Sequence, residues 1–145
     1  MTSDPFSSES ALTEFLKAFE EGTYPIKQWT HESHIIMAAG YLSQLSEEAA
    51  TPVIREGIKH FNLSQGGQNT NTSGYHETLT IFWIRIVAAF LETLPETLSR
   101  LDKVRACANK FGPLSGLFRD YWSYDLLQST EARKEWRAPD LKALP

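Results

Sequence analysis

Cysteine is nearly absent from this chain: Cys107 is the only one in 145 residues. A lone thiol excludes an intramolecular disulfide framework and agrees with a reducing compartment, so a cytoplasmic location is expected. Positive charge is also scarce. Fourteen Lys and Arg against eighteen Asp and Glu give a formal net charge of −4, whereas a general nucleic-acid binder carries a basic face. No nucleic-acid partner is expected. Long hydrophobic runs are missing too. The most apolar stretch, residues 79–91, is interrupted by Arg85 and is too short to span a bilayer, so no membrane association is expected. The opening Met1-Thr2-Ser3-Asp4-Pro5-Phe6 has neither a basic region nor an apolar one, and it predicts no signal peptide. Histidine is absent after His76.

What is present is one domain's worth of helical pattern. Hydrophobic residues make up 41% of the chain, enough to bury a core. Residues 1–8 read as a disordered tail and 9–145 as a single helical domain. A first helix is predicted over residues 10–21, with Leu12, Phe15, Leu16 and Phe19 on one stripe and Gly22 as its stop. Thr30 is a good N-cap for a second, reaching residue 45. Thr51-Pro52 has the form of a cap followed by proline at the first helical position, opening a third helix to residue 63. A polar loop, residues 64–73, precedes a fourth helix over 74–94 that is apolar almost all round and is expected to be central and buried. Pro95 breaks it. A fifth helix is predicted over 96–110, and short helices beyond Gly112-Pro113. The fold class is all-α, a bundle of about five to seven helices.

All four histidines fall between residues 31 and 76. His31 and His34 stand three apart, so one helix presents both rings on neighbouring positions. His60 sits in the last turn of the third helix, and His76 and Glu77 open the fourth. Short connections favour antiparallel neighbours. The N-termini of the second and fourth helices and the C-terminus of the third should therefore share one end of the bundle, under the polar loop. Imidazoles with a carboxylate suit Zn, Fe(II), Ni or Mn, with positions left open for water or substrate. The expectation is a mononuclear metal ion held by His31, His34 and His76, with Glu77 as ligand or general base, in a metal-dependent enzyme acting on a small organic substrate. His60, Tyr75, Asn69 and Arg85 are the expected substrate contacts, and a homodimer is an option.

Two other readings compete. The histidines can be helix caps and hydrogen-bonding network members, the default for any single histidine. Alternatively, the pocket binds a small anion without metal, because two helix N-termini project positive partial charge into one space. Arg85 would then pair with that anion, or else with a carboxylate of the protein itself. Thr80 stands where the second histidine of H-E-x-x-H would be, so that zinc-peptidase signature is not met. The loop at residues 64–73 is either a lid that orders over ligand or a plain connector. Cys107 reads as a buried small hydrophobe.

Trp29-Thr30-His31-Glu32-Ser33-His34 and Gly74-Tyr75-His76-Glu77-Thr78 resemble the marks of a small family of uncharacterised bacterial helical proteins with W-T-H-x-x-H and G-Y-H-E-T motifs. That resemblance implies that the two segments form one paired site. More distantly, a small bundle with inward histidines is similar to the DinB/YfiT-like metalloenzymes, which implies a helical fold and a metal ion. Their pattern closes with His-x-x-x-His on a late helix, where this chain has no histidine.

Overall fold

The computed structural model describes residues 7–145, and among them every regular element is helical, with no strand. Helix α1 spans Glu9–Glu21. Of the tail expected at residues 1–8, residues 1–6 lie outside the described residues, while Ser8 caps α1 by accepting from the Ala11 amide at 3.0 Å. After a 3₁₀ turn at Ile26–Gln28, α2 spans His31–Leu42. It opens on a capping box in which Thr30 Oγ1 accepts from the Ser33 amide (3.3 Å) and Ser33 Oγ accepts from the Thr30 amide (3.1 Å).

Helix α3 spans Glu47–Ser64, which corrects the start expected at Thr51-Pro52. Ser46 supplies the cap, accepting from the Ala49 amide at 3.1 Å. Proline therefore sits inside the helix, where it costs one backbone hydrogen bond. The Thr51 hydroxyl turns back onto the Glu47 carbonyl at 2.7 Å just before it. Helix α4 spans Glu77–Thr93 and α5 spans Arg100–Phe111. The fifth helix begins later than residue 96 because Ser99 is its cap, accepting from the Asp102 amide at 3.1 Å. Two 3₁₀ turns, Leu117–Asp120 and Leu126–Gln128, lead to the short α6, Thr130–Lys134.

Helix α4 packs on α2, α3, α5 and α6, the central place its composition predicts. Helix α2 is sealed more completely still: every residue from Ile35 to Leu42 is buried. Small residues make that close embrace feasible. At Gly40, a β-carbon would lie 3.0 Å from the Leu16 side chain of α1. The C-terminal chain then straps α4. Thr78 Oγ1 donates to the Glu135 carbonyl (2.9 Å) and accepts from the Arg137 amide (3.0 Å), while Trp122 Nε1 donates to the Arg137 carbonyl (3.1 Å). No helix of the described residues is long and apolar enough to cross a membrane.

Candidate functional site

The antiparallel run of α2, α3 and α4 does bring their expected ends together, around a cavity of about 430 Å³. This lies within the ~300–1,000 Å³ range of small-molecule sites. Its walls are apolar: Met37 and Ala38 of α2, Ile54 and Ile58 of α3, and Leu79, Trp83 and Ile84 of α4. Around them stand Trp29, His31, His34, Asn62, Tyr75 and His76. No Lys, Arg, Asp or Glu lines it.

The three histidines expected as metal ligands all reach this cavity, but their ring nitrogens are differently engaged. His76 is the N-cap of α4. Its Nδ1 accepts from the Leu79 amide (3.1 Å) and its Nε2–H donates to the Leu126 carbonyl (2.9 Å). Both nitrogens are thus in use. Burial pushes its pKa below the ordinary value, the Leu126 carbonyl opposes that, and the charge of Arg133 adds to it. A neutral ring with one bare nitrogen is what this capping geometry requires.

His31 and His34 each keep one nitrogen. His31 Nε2 lies 3.0 Å from the Phe111 carbonyl, and a carbonyl only accepts, so the proton is on Nε2. His34 Nδ1 lies 2.9 Å from the Thr30 carbonyl, so there the proton is on Nδ1. The other nitrogen of each neutral ring carries a lone pair, and neither has a hydrogen-bond partner among the described residues. Burial lowers the His34 pKa, against the Thr30 carbonyl and with the help of His31. The His34 ring packs on Trp29 at 4.7 Å between centroids and the His31 ring on Trp83 at 4.8 Å.

Glu77, expected as ligand or base, is not among the cavity residues. Arg55 of α3 holds it with two hydrogen bonds, Nε to Oε1 at 2.9 Å and Nη2 to Oε2 at 2.8 Å, and the Tyr75 hydroxyl donates to it at 2.5 Å. Burial raises its pKa, but these hydrogen bonds and the charges of Arg55 and Lys59 outweigh that and hold the carboxylate below its usual range. Such a group is a structural anion and a poor base. Tyr75 faces the cavity with its hydroxyl already spent, and burial, then the Glu77 hydrogen bond, pushes its pKa up.

Three expected substrate contacts are occupied elsewhere. His60 is exposed, 3.4 Å from the Ser64 hydroxyl, and lies outside the cavity. Asn69 is a loop anchor. Its Oδ1 accepts from Asn62 Nδ2 and from the Tyr75 amide, each at 3.0 Å, and its Nδ2 donates to the Lys59 carbonyl at 3.0 Å. Those bonds pin the loop at residues 64–73 to the end of α3, the arrangement of a connector. Arg85 pairs with Glu47, the first residue of α3, and with Glu92 at 3.6 Å, so its partner is a carboxylate of the protein.

No family model, no curated protein and no solved structure matches this chain. The site must therefore be read from its own chemistry. Among the described residues, no three His, Cys, Asp or Glu side chains are placed to hold a metal ion together. Sequence reasoning missed the contribution of Trp83 and marked Trp29 only as the first residue of the W-T-H-x-x-H motif. Trp83 lies in an apolar helix and reads as core. The Trp29 indole Nε1–H is out of solvent and finds no acceptor among the described residues, a rare condition for a buried donor. Cys107 is buried as expected, and burial pushes its thiol up to about 12.

Proposed function

We propose that the protein binds a small, largely apolar organic molecule in the cavity where α2, α3 and α4 meet. The carrying observation is the cavity itself: apolar walls, no ionised side chain, and a few polar groups with unused hydrogen-bonding capacity, the usual make-up of a ligand pocket. Two tryptophans line it, so binding is readable by fluorescence. Titrating a panel of one- and two-ring compounds should change the emission of Trp29 and Trp83, and W29F and W83F should each remove part of the response. A panel that leaves the emission and the thermal midpoint unchanged throughout would refute this function.

A metal-dependent enzyme is the second reading, favoured by one specific observation: two unpartnered imidazole nitrogens three residues apart on α2. That pair supplies two of the three ligands expected from the sequence, while His76 is committed to backbone on both sides. Elemental analysis of protein purified without a histidine tag decides between the two. One metal ion per chain, lost in H31A/H34A, supports the enzyme; metal far below one per chain, unaltered in that double variant, supports the metal-free pocket.

A further inference from the structure

We infer that the molecule this cavity takes is uncharged and presents a hydrogen-bond donor, as an alcohol, a phenol or an amide does, and that the cavity discriminates against anions. The inference rests on the pocket being a ligand site and specifies what kind of ligand it selects. The His31 proton is fixed on Nε2 by the Phe111 carbonyl at 3.0 Å, and the His34 proton on Nδ1 by the Thr30 carbonyl at 2.9 Å. What the two rings have left are acceptor lone pairs, which attract an O–H or N–H and repel a carboxylate or phosphate oxygen.

The usual sources of anion affinity are missing or reduced. No Lys or Arg lines the cavity. Helix N-termini bind anions through free first-turn amides, and one of these in each helix is already taken, the Ser33 amide of α2 by Thr30 Oγ1 and the Leu79 amide of α4 by His76 Nδ1. An anion that brought a proton onto His34 would meet a ring whose burial disfavours the charged form. A hydroxyl or an amide can donate to an imidazole lone pair. A carboxylate or an ether has no proton to give.

The test uses the full chain labelled with ¹⁵N-histidine at pH 7.5, and phenol, anisole and benzoate as probes of matched shape. Long-range proton–nitrogen spectra should show His31 as the Nε2–H form and His34 as the Nδ1–H form. Phenol should shift the bare nitrogens and bind at least tenfold more tightly than anisole or benzoate. H34A, with H31A as a second variant should the first fail to fold, should shrink the preference for phenol over anisole to less than threefold. Benzoate binding as tightly as phenol, or either ring carrying its proton on the other nitrogen, overturns the inference while leaving a ligand pocket in place. If none of the three probes moves the Met37 methyl or the Trp29 and Trp83 indole signals, the pocket reading fails, and the inference falls with it.

Discussion

Replacing His76 by alanine separates a structural cap from a metal ligand, and the structure sets the size of the effect. The substitution removes the acceptor for the Leu79 amide, and loss of an N-cap side chain costs about 1 kcal/mol. It also strips the Leu126 carbonyl of its donor. An unsatisfied buried polar group costs ~1–3 kcal/mol. His76 is 6% exposed, so deletion of its ring leaves a void next to the cavity, part of which water can fill. The two bonds share one ring and are not additive, so a total of about 2–4 kcal/mol is expected. Urea unfolding followed by far-ultraviolet circular dichroism, in metal-free buffer with chelator, measures it. His76→Asn keeps a capping oxygen and should recover about 1 kcal/mol. A His76→Ala loss below about 0.5 kcal/mol, the size of an ordinary surface change, would refute the cap. So would a loss that appears only when Zn or Ni is present.

Other outcomes follow from the same geometry. His34 and His76 both have folded pKa values below the ordinary 6.5, so the unfolded chain binds more protons as pH falls past that value. Stability should be intact above about pH 6.5 and should decline as acid is added through the lowered folded values; the slope should flatten in H76A, and an unchanged slope would count against these shifts. Glu77→Gln weakens the Arg55 pair, which is partly solvent-screened. It should cost about 1 kcal/mol yet alter phenol affinity less than threefold, whereas a catalytic or ligating Glu77 would abolish function with stability unaffected. Gly74 has φ +79°, and a β-carbon there would fall 2.1 Å from the Gln68 carbonyl, while Gly66 at φ +85° has open space. Gly66→Ala should therefore cost about 1 kcal/mol from backbone strain alone, and Gly74→Ala clearly more; equal losses on thermal denaturation would show that the loop path is not fixed. Amide exchange at residues 65–72 should be the same with and without saturating phenol, because Asn69 already anchors the loop; strong protection on binding would restore the lid.

Local patterns in the chain were enough to read the helical fold and the meeting of the α2 and α4 N-termini. Those signals are local: Thr30 before His31, the stripe Leu12, Phe15, Leu16 and Phe19, and the apolar run of α4 are read within a turn or two of chain. Short connections then force neighbours to run antiparallel, which suffices to bring His31, His34 and His76 to one cavity. The start of α3 was misread for the same local reason, since Thr51-Pro52 has the form of an N-terminus while the real cap, Ser46, lies a turn and a half earlier. What each side chain can do there was decided only by the tertiary structure. His31 meets a carbonyl 80 residues away and His76 one 50 residues away. Arg85 finds Glu47, and Glu77 finds Arg55, across helix interfaces. A histidine's chemistry depends on which nitrogen holds its proton. That is set by the acceptor opposite it, and for His31 and His76 the acceptor is a backbone carbonyl, which every residue has and no sequence pattern marks.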